Sequence, residues 1–183
     1  MIGAAFKLVL ASAKAGDHSA LEVIYRDLAP AVLGYLRGQG AAEPEDLASE
    51  VFVGVVKDLP RFRGDERAFR SWVFTIVHRR LVDEHRRRAR RLESSADPED
   101  LLPFGRKGDV EDEALDRLEG RMVLEAARAL TPDQRAVVLL RVLADLPVAD
   151  VARVLGKSQG AVKTLQRRAL DRLARELLPE TVT

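Results

Sequence analysis

The chain has 183 residues, enough for one large compact domain or two small ones. With 46% apolar and 32% charged residues it supports a buried core under a charged surface, which excludes general disorder and collagen-like repeats. Cysteine is absent, which removes disulfide scaffolds, thiolate nucleophiles, zinc ribbons and iron–sulfur clusters, and the net charge of only +1 conceals strong local alternation.

The segment from Met1 to Gly16 is apolar and contains Ala11-Ser12-Ala13, a signal-peptide-like cleavage sequence. Lys7 interrupts its apolar stretch and no positive charge precedes that stretch, so Phe6, Leu8, Val9 and Leu10 predict the start of a helix instead of a secretion leader. Nowhere does an apolar run approach the roughly 20 residues that cross a bilayer, and a cytoplasmic location is expected. From Asp17 to Asp58 the chain is acidic, with three basic against eight acidic residues. Here Leu47, Val51, Val55 and Leu59 recur every fourth position, the stripe of an amphipathic helix. A second stripe runs through Phe69, Val73, Ile76 or Val77, and Leu81. Pro30, Gly38, Gly40, Pro44, Pro60 and Gly64 mark the breaks between helices.

The second stripe lies in a basic block. Between Arg61 and Arg91 eleven arginines face only Asp65, Glu66, Asp83 and Glu84. Aromatic residues interleave with them, a pattern suited to stacking on unpaired bases while cations hold phosphate. At least two of Phe69, Trp72 and Phe74 are expected in the core. From Glu93 to Glu119 the balance reverses, with ten acids against Arg106, Lys107 and Arg117. Helical periodicity stops over 93–110, where Ser94, Ser95, Pro98, Pro103, Gly105 and Gly108 predict a flexible acidic linker. No segment shows sustained alternation. The expected fold is therefore all-α, with small helical domains at 1–92 and 111–183 joined by that linker.

In the second domain Thr131-Pro132-Asp133 sets a capping hydroxyl before a proline at the first helical position, predicting a helix over 133–143. A short helix from Pro147 ends at Gly156, and Ser158 caps a longer one. Ala152, Gly156, Val162 and Leu165 have the spacing of a helix-turn-helix: a small residue at the crossing, a turn glycine four residues on, then apolar residues that return to the first helix. The last helix then presents Ser158, Gln159, Lys163, Thr164, Gln166 and Arg167 toward base edges, with Arg168 and Arg172 placed for bases or phosphates. A second basic block, seven cations against Asp171 between Arg153 and Arg175, coincides with this helix.

Asp46 to Phe52, Arg61-Phe62-Arg63-Gly64, Phe69-Arg70-Ser71-Trp72 and the run Arg86 to Arg91 are together similar to region 2 of bacterial sigma factors of the extracytoplasmic-function (ECF) group. Thr131 to Leu178, including Val162-Lys163-Thr164, resembles their region 4. The likeness covers most of the chain in the family's order, and such proteins lack a folded region 3. It implies an alternative sigma factor that binds core RNA polymerase and directs promoter recognition, DNA melting and initiation, with no cofactor, metal or catalytic residue. The polymerase contacts it implies are Asp46, Leu47, Ser49, Glu50 and Phe52. The minus-10 contacts are Arg61, Phe62, Arg63, Arg70, Trp72, Arg79, Arg80, Arg86 and Arg87, and the minus-35 contacts are those of the helix from Ser158. An anti-sigma factor is the further partner implied, and no membrane insertion is expected.

The chain departs from the family where Arg79 replaces a frequent asparagine, where Val56 stands near a frequent tryptophan, and where Leu165 comes one step early after Lys163-Thr164. Two other function classes have weaker support. His78 and His85 lie seven apart and lack the i, i+4 spacing of a helical metal pair, and no phosphate loop or nucleophile elbow accompanies them, which argues against an enzyme. A stand-alone helix-turn-helix repressor or activator would leave the aromatic, arginine-rich segment without a role.

Overall fold

The structure is a computed structural model that describes residues 1–94 and 128–177. The expected linker lies outside the described residues except for Glu93 and Ser94, which close a helix. Among the described residues all regular structure is helical.

After a turn at Gly3–Ala5 the N-terminal module consists of α1 (Phe6–Lys14), α2 (His18–Gly38), α3 (Pro44–Asp58) and α4 (Glu66–Ser94). Asp17 starts α2 by accepting the Ser19 amide at 2.8 Å. Pro44 sits in the first turn of α3 with Glu45 and Asp46, acids that complement the positive end of the helix dipole. A tight turn over Leu59–Arg61 then reverses the chain into α4.

Both predicted stripes are buried. Leu47, Val51, Val55 and Leu59 are at most 5% exposed, and so are Phe69, Val73, Val77 and Leu81. Phe69 is the centre of a ring cluster, with centroids 5.5 Å from Phe6, 5.1 Å from Phe62 and 5.6 Å from Trp72. Such tilted and edge contacts favour packing beyond the area they bury. Tyr35 meets the edge of Phe74 at 6.0 Å and hydrogen-bonds the half-buried His78. Phe69 and Phe74 are core residues, whereas Trp72 keeps partial exposure.

The C-terminal module is α5 (Pro132–Val142), α6 (Val148–Leu155) and α7 (Gln159–Leu177). Thr131 and Gln134 form a reciprocal capping box at the start of α5. Gly156 closes α6 at φ 63°, ψ 31°, and the Lys157 amide returns to the Ala152 carbonyl at 2.9 Å. That left-handed closure is open to glycine at little cost, and it aims the chain into α7. The Ser158 hydroxyl accepts the Ala161 amide at 3.1 Å.

The two modules pack against each other. Helix α6 lies on α4 and α5 on α2, and the apolar core runs continuously from one module into the other. Sequence periodicity predicts each module but carries no sign of this contact.

Candidate nucleic-acid interface

Three surfaces carry the residues singled out in the sequence. The first is the outer face of α7. Val162 and Ala169 are fully buried and Leu165 and Leu173 half-buried, so this side of the helix faces the module. Gln166 is half-buried beside them, while Ser158, Gln159, Lys163, Thr164, Arg167, Arg168 and Arg172 are exposed. Lys163 and Arg167 stand one turn apart, as do Thr164 and Arg168, then Arg168 and Arg172. Lys163, Arg167, Arg168 and Arg172 form no ion pair among the described residues. Two hydroxyls are already engaged, Ser158 as the cap and Thr164 by donating to the Gly160 carbonyl at 3.0 Å.

The second surface is α4 with the turn before it. Arg61 and Arg63 are exposed, and Arg63 donates to the carbonyls of Pro60 and Phe62. Lys14 also reaches the Phe62 carbonyl, at 2.6 Å, tying the turn to α1. Phe62 itself is 9% exposed. Beside it, Asp58, Arg61, Phe62 and Trp72 line an open recess of about 310 Å³. Farther along, Arg79, Arg80, Arg86 and Arg87 are exposed, with Arg80 3.8 Å from Glu50 and Arg86 3.8 Å from Asp83.

Arg70 differs from this group. It is 6% exposed, its guanidinium holds Asp27 at 2.7 Å, and its Nε donates to the Ala144 carbonyl of the other module at 3.2 Å. In this arrangement it is a packing residue, because an acid and a carbonyl satisfy the charge that the sequence offers to DNA.

The third surface is α3. Asp46, Ser49 and Glu50 project outward, but Leu47 is 5% exposed and belongs to the core. Phe52 is half-buried, with its ring 4.7 Å from that of Tyr25. Glu45 accepts a hydrogen bond from the Arg37 guanidinium, which holds this carboxyl below the usual carboxylate range. On the same helix Val53 is exposed, and the exposed Tyr25 and Val56 share an apolar recess with Leu21, Phe52 and Val55. Sequence reading misses this recess, although Val56 lies off the buried stripe and is surplus to the core.

Two sigma-70 models match the chain, region 2 over residues 24–91 and region 4 over residues 120–173, together more than half of its length. The chain belongs to the ECF sigma-factor family. Members of the family direct transcription initiation. The chain is 40% identical over 172 residues to the ECF RNA polymerase sigma factor BldN of Streptomyces coelicolor, covering 92% of this chain and 64% of BldN. It thus spans slightly less than two thirds of that relative. SigD of Mycobacterium tuberculosis is 31% identical over 186 residues, covering 97% of this sigma factor and 86% of SigD.

Among solved structures, CnrH in complex with the cytosolic domain of CnrY matches with a TM-score of 0.65 at 23% identity, over 97% of this chain and 99% of that one. RpoE in complex with the anti-sigma factor NepR from Bartonella quintana matches with a TM-score of 0.68 at 20% identity, over 87% and 96%. At those identities the likeness is one of fold. No helix among the described residues is long and apolar enough to cross a membrane.

Proposed function

We propose that this sigma factor divides promoter recognition among its three surfaces. The acids Asp46 and Glu50, with Ser49 and the neighbouring Phe52, dock on core RNA polymerase. The turn at Arg61 to Arg63, Trp72, and the arginines of α4 from Arg79 to Arg87 engage the minus-10 element. Helix α7 enters the major groove of the minus-35 element with Lys163, Arg167, Arg168 and Arg172. The observation that carries this reading is α7 itself, whose exposed side holds four cations without an acid partner among the described residues, directly after a helix-turn-helix bend.

Melting proceeds on binding energy. Extruding a base costs a few kcal/mol, and stacking on an aromatic ring returns about 1–3 kcal/mol per base. The recess between Trp72 and Arg61 offers a partly exposed ring beside a cation and the Asp58 carboxylate. The acidic stretch 93–110 serves as the tether between the modules, its negative charge repelled by DNA and compatible with a channel that carries RNA. An anti-sigma factor is a further partner, a reading supported by the structural neighbour RpoE, which was solved in complex with the anti-sigma factor NepR.

Run-off transcription with core polymerase and a promoter library tests the reading. Specific transcripts that depend on this chain support it. Tight binding to promoter duplex without programmed transcription assigns the chain to the repressor class instead. Reversing Asp46 and Glu50 to Lys should weaken association with polymerase while the melting temperature stays unchanged, because both side chains are exposed.

A further inference from the structure

We propose that α7 selects its minus-35 duplex through the methyl group of Thr164, which packs on the C5 methyl of one thymine at the floor of the major groove, and that Gly160 lets the helix sit deep enough to do so. The proposal rests on the placement of α7 in that groove given above, and adds which chemical feature of the DNA it selects.

The register of α7 fixes the line that faces the DNA. Val162 is fully buried and marks the inward direction. At about 100° per residue, Gly160 two places before it and Thr164 two places after it each fall within about 20° of the opposite side. Both are exposed, and the exposed Lys163 and Arg168 lie on either side of their line. A helix about 10–12 Å across with its side chains enters a groove about 12 Å wide, so only its outermost line reaches the floor while its flanks meet the phosphate-bearing walls.

That line carries no long side chain over the first turns of α7. Gly160 costs helix stability relative to alanine, yet nothing inside the protein requires it. Its backbone is helical, and a Cβ placed there would meet no atom of the described residues closer than Ser158 Oγ at 3.9 Å. A glycine with open space above it, at the outermost point of a helix, is of use to a surface that approaches from outside.

Thr164 has two branches on its Cβ. Its Oγ1 donates to the Gly160 carbonyl at 3.0 Å, which spends the hydroxyl proton inside the helix and turns that branch back toward the preceding turn. The Cγ2 methyl is the branch left to face outward. Thymine presents the only apolar group on a base edge in the major groove, its C5 methyl, and a threonine methyl is a matching partner for it. Neighbouring polar groups are engaged elsewhere: the Ser158 hydroxyl accepts the Ala161 amide, and Gln166 is half-buried beside the core.

The test uses the full chain and a minus-35 duplex that it selects from a randomised library. Each thymine of that duplex is replaced in turn by deoxyuracil, which removes the C5 methyl and leaves base pairing and the hydrogen-bonding edges unchanged. At one position the replacement should weaken binding about fourfold, the worth of one buried methyl group. Thr164→Val keeps the methyl and should keep both the affinity and that response. Thr164→Ser loses the methyl, should bind the thymine duplex about fourfold more weakly, and should no longer distinguish it from the uracil duplex. Gly160→Leu should bind the duplex about tenfold more weakly while its melting temperature stays at or above the parent value, because leucine favours the helix.

A selected site without thymine, or a parent chain indifferent to every uracil replacement, overturns the proposal. So does a Thr164→Val variant that binds as weakly as Thr164→Ser, since the hydroxyl is then the reader, or a Thr164→Ser variant that keeps the uracil response, since another residue then supplies the contact. Gly160→Leu at parent affinity overturns the deep seating. The pair Arg167→Ala, Arg168→Ala separates these failures from that of the functional reading. If the pair lowers affinity for the duplex, α7 occupies the groove and the methyl reading alone has failed; if it has no effect, the placement of α7 has failed with it.

Discussion

Helices α4 and α7 are both arginine-rich, yet they use arginine differently. On α7 the cations Lys163, Arg167, Arg168 and Arg172 share one outward side and meet no acid among the described residues. On α4 the charges divide along the helix: Arg67 and Arg70 near its start are taken up by Asp150 and Asp27, whereas Arg79, Arg86 and Arg87 project farther on. The difference lies in where the acids fall in space. A carboxylate from another helix takes up an arginine's charge, burying the side chain at Arg70 but not at Arg67, and its absence leaves the charge for phosphate.

The comparison is broken most severely by Arg70→Ala. Removing this guanidinium takes a partner from the largely buried Asp27 and from the Ala144 carbonyl, and should cost about 3 kcal/mol in thermal or urea unfolding. Arg86→Ala and Arg87→Ala provide the contrast, with stability within about 0.5 kcal/mol of the parent.

The double substitution Arg167→Ala, Arg168→Ala should leave unfolding unchanged. It should cost about 2 kcal/mol in discrimination for the minus-35 duplex if the pair reads bases. Titration at several salt concentrations separates the roles, since each lost phosphate contact reduces the logarithmic salt slope by about 0.9. Polymerase association should survive.

Gly156→Ala tests the turn that aims α7. A side chain at φ 63° costs about 1 kcal/mol, and although nothing lies within 4 Å of the added Cβ, the strained backbone should destabilise the C-terminal module. A variant as stable as the parent would show that α7 does not need a left-handed closure.

The smallest effect concerns pH. Burial holds His78 below the usual histidine range; Asp133 opposes this, while Lys157 and His85 push the same way. The unfolded chain therefore takes up a proton first on acidification. Stability is full above about pH 6.5 and declines below it. Melting temperatures measured at pH 8 and pH 5.5 should show the decline, and His78→Gln should flatten it.

The helices were legible because burial repeats with the helical period. Leu47, Val51, Val55 and Leu59 declared one face of α3, and Ala152, Gly156 and Val162 declared the bend before α7. What stayed hidden depends on contacts that leave no periodic trace. Arg67 and Asp150 are 83 positions apart, and nothing in either neighbourhood marks them as a pair. Arg70 stands in an arginine-rich segment and reads as cationic surface until Asp27 is seen beside it. The recess at Tyr25 and Val56 escapes for a related reason: its members come from two helices and follow no single stripe.

Asp150 offers one oxygen to each module, and both arginines that take them up, Arg67 and Arg153, keep their side chains largely in water. Dissolved ions therefore reach the partners of this buried carboxylate from either side, so ionic strength bears on the joint between the modules while the apolar contacts around it are untouched.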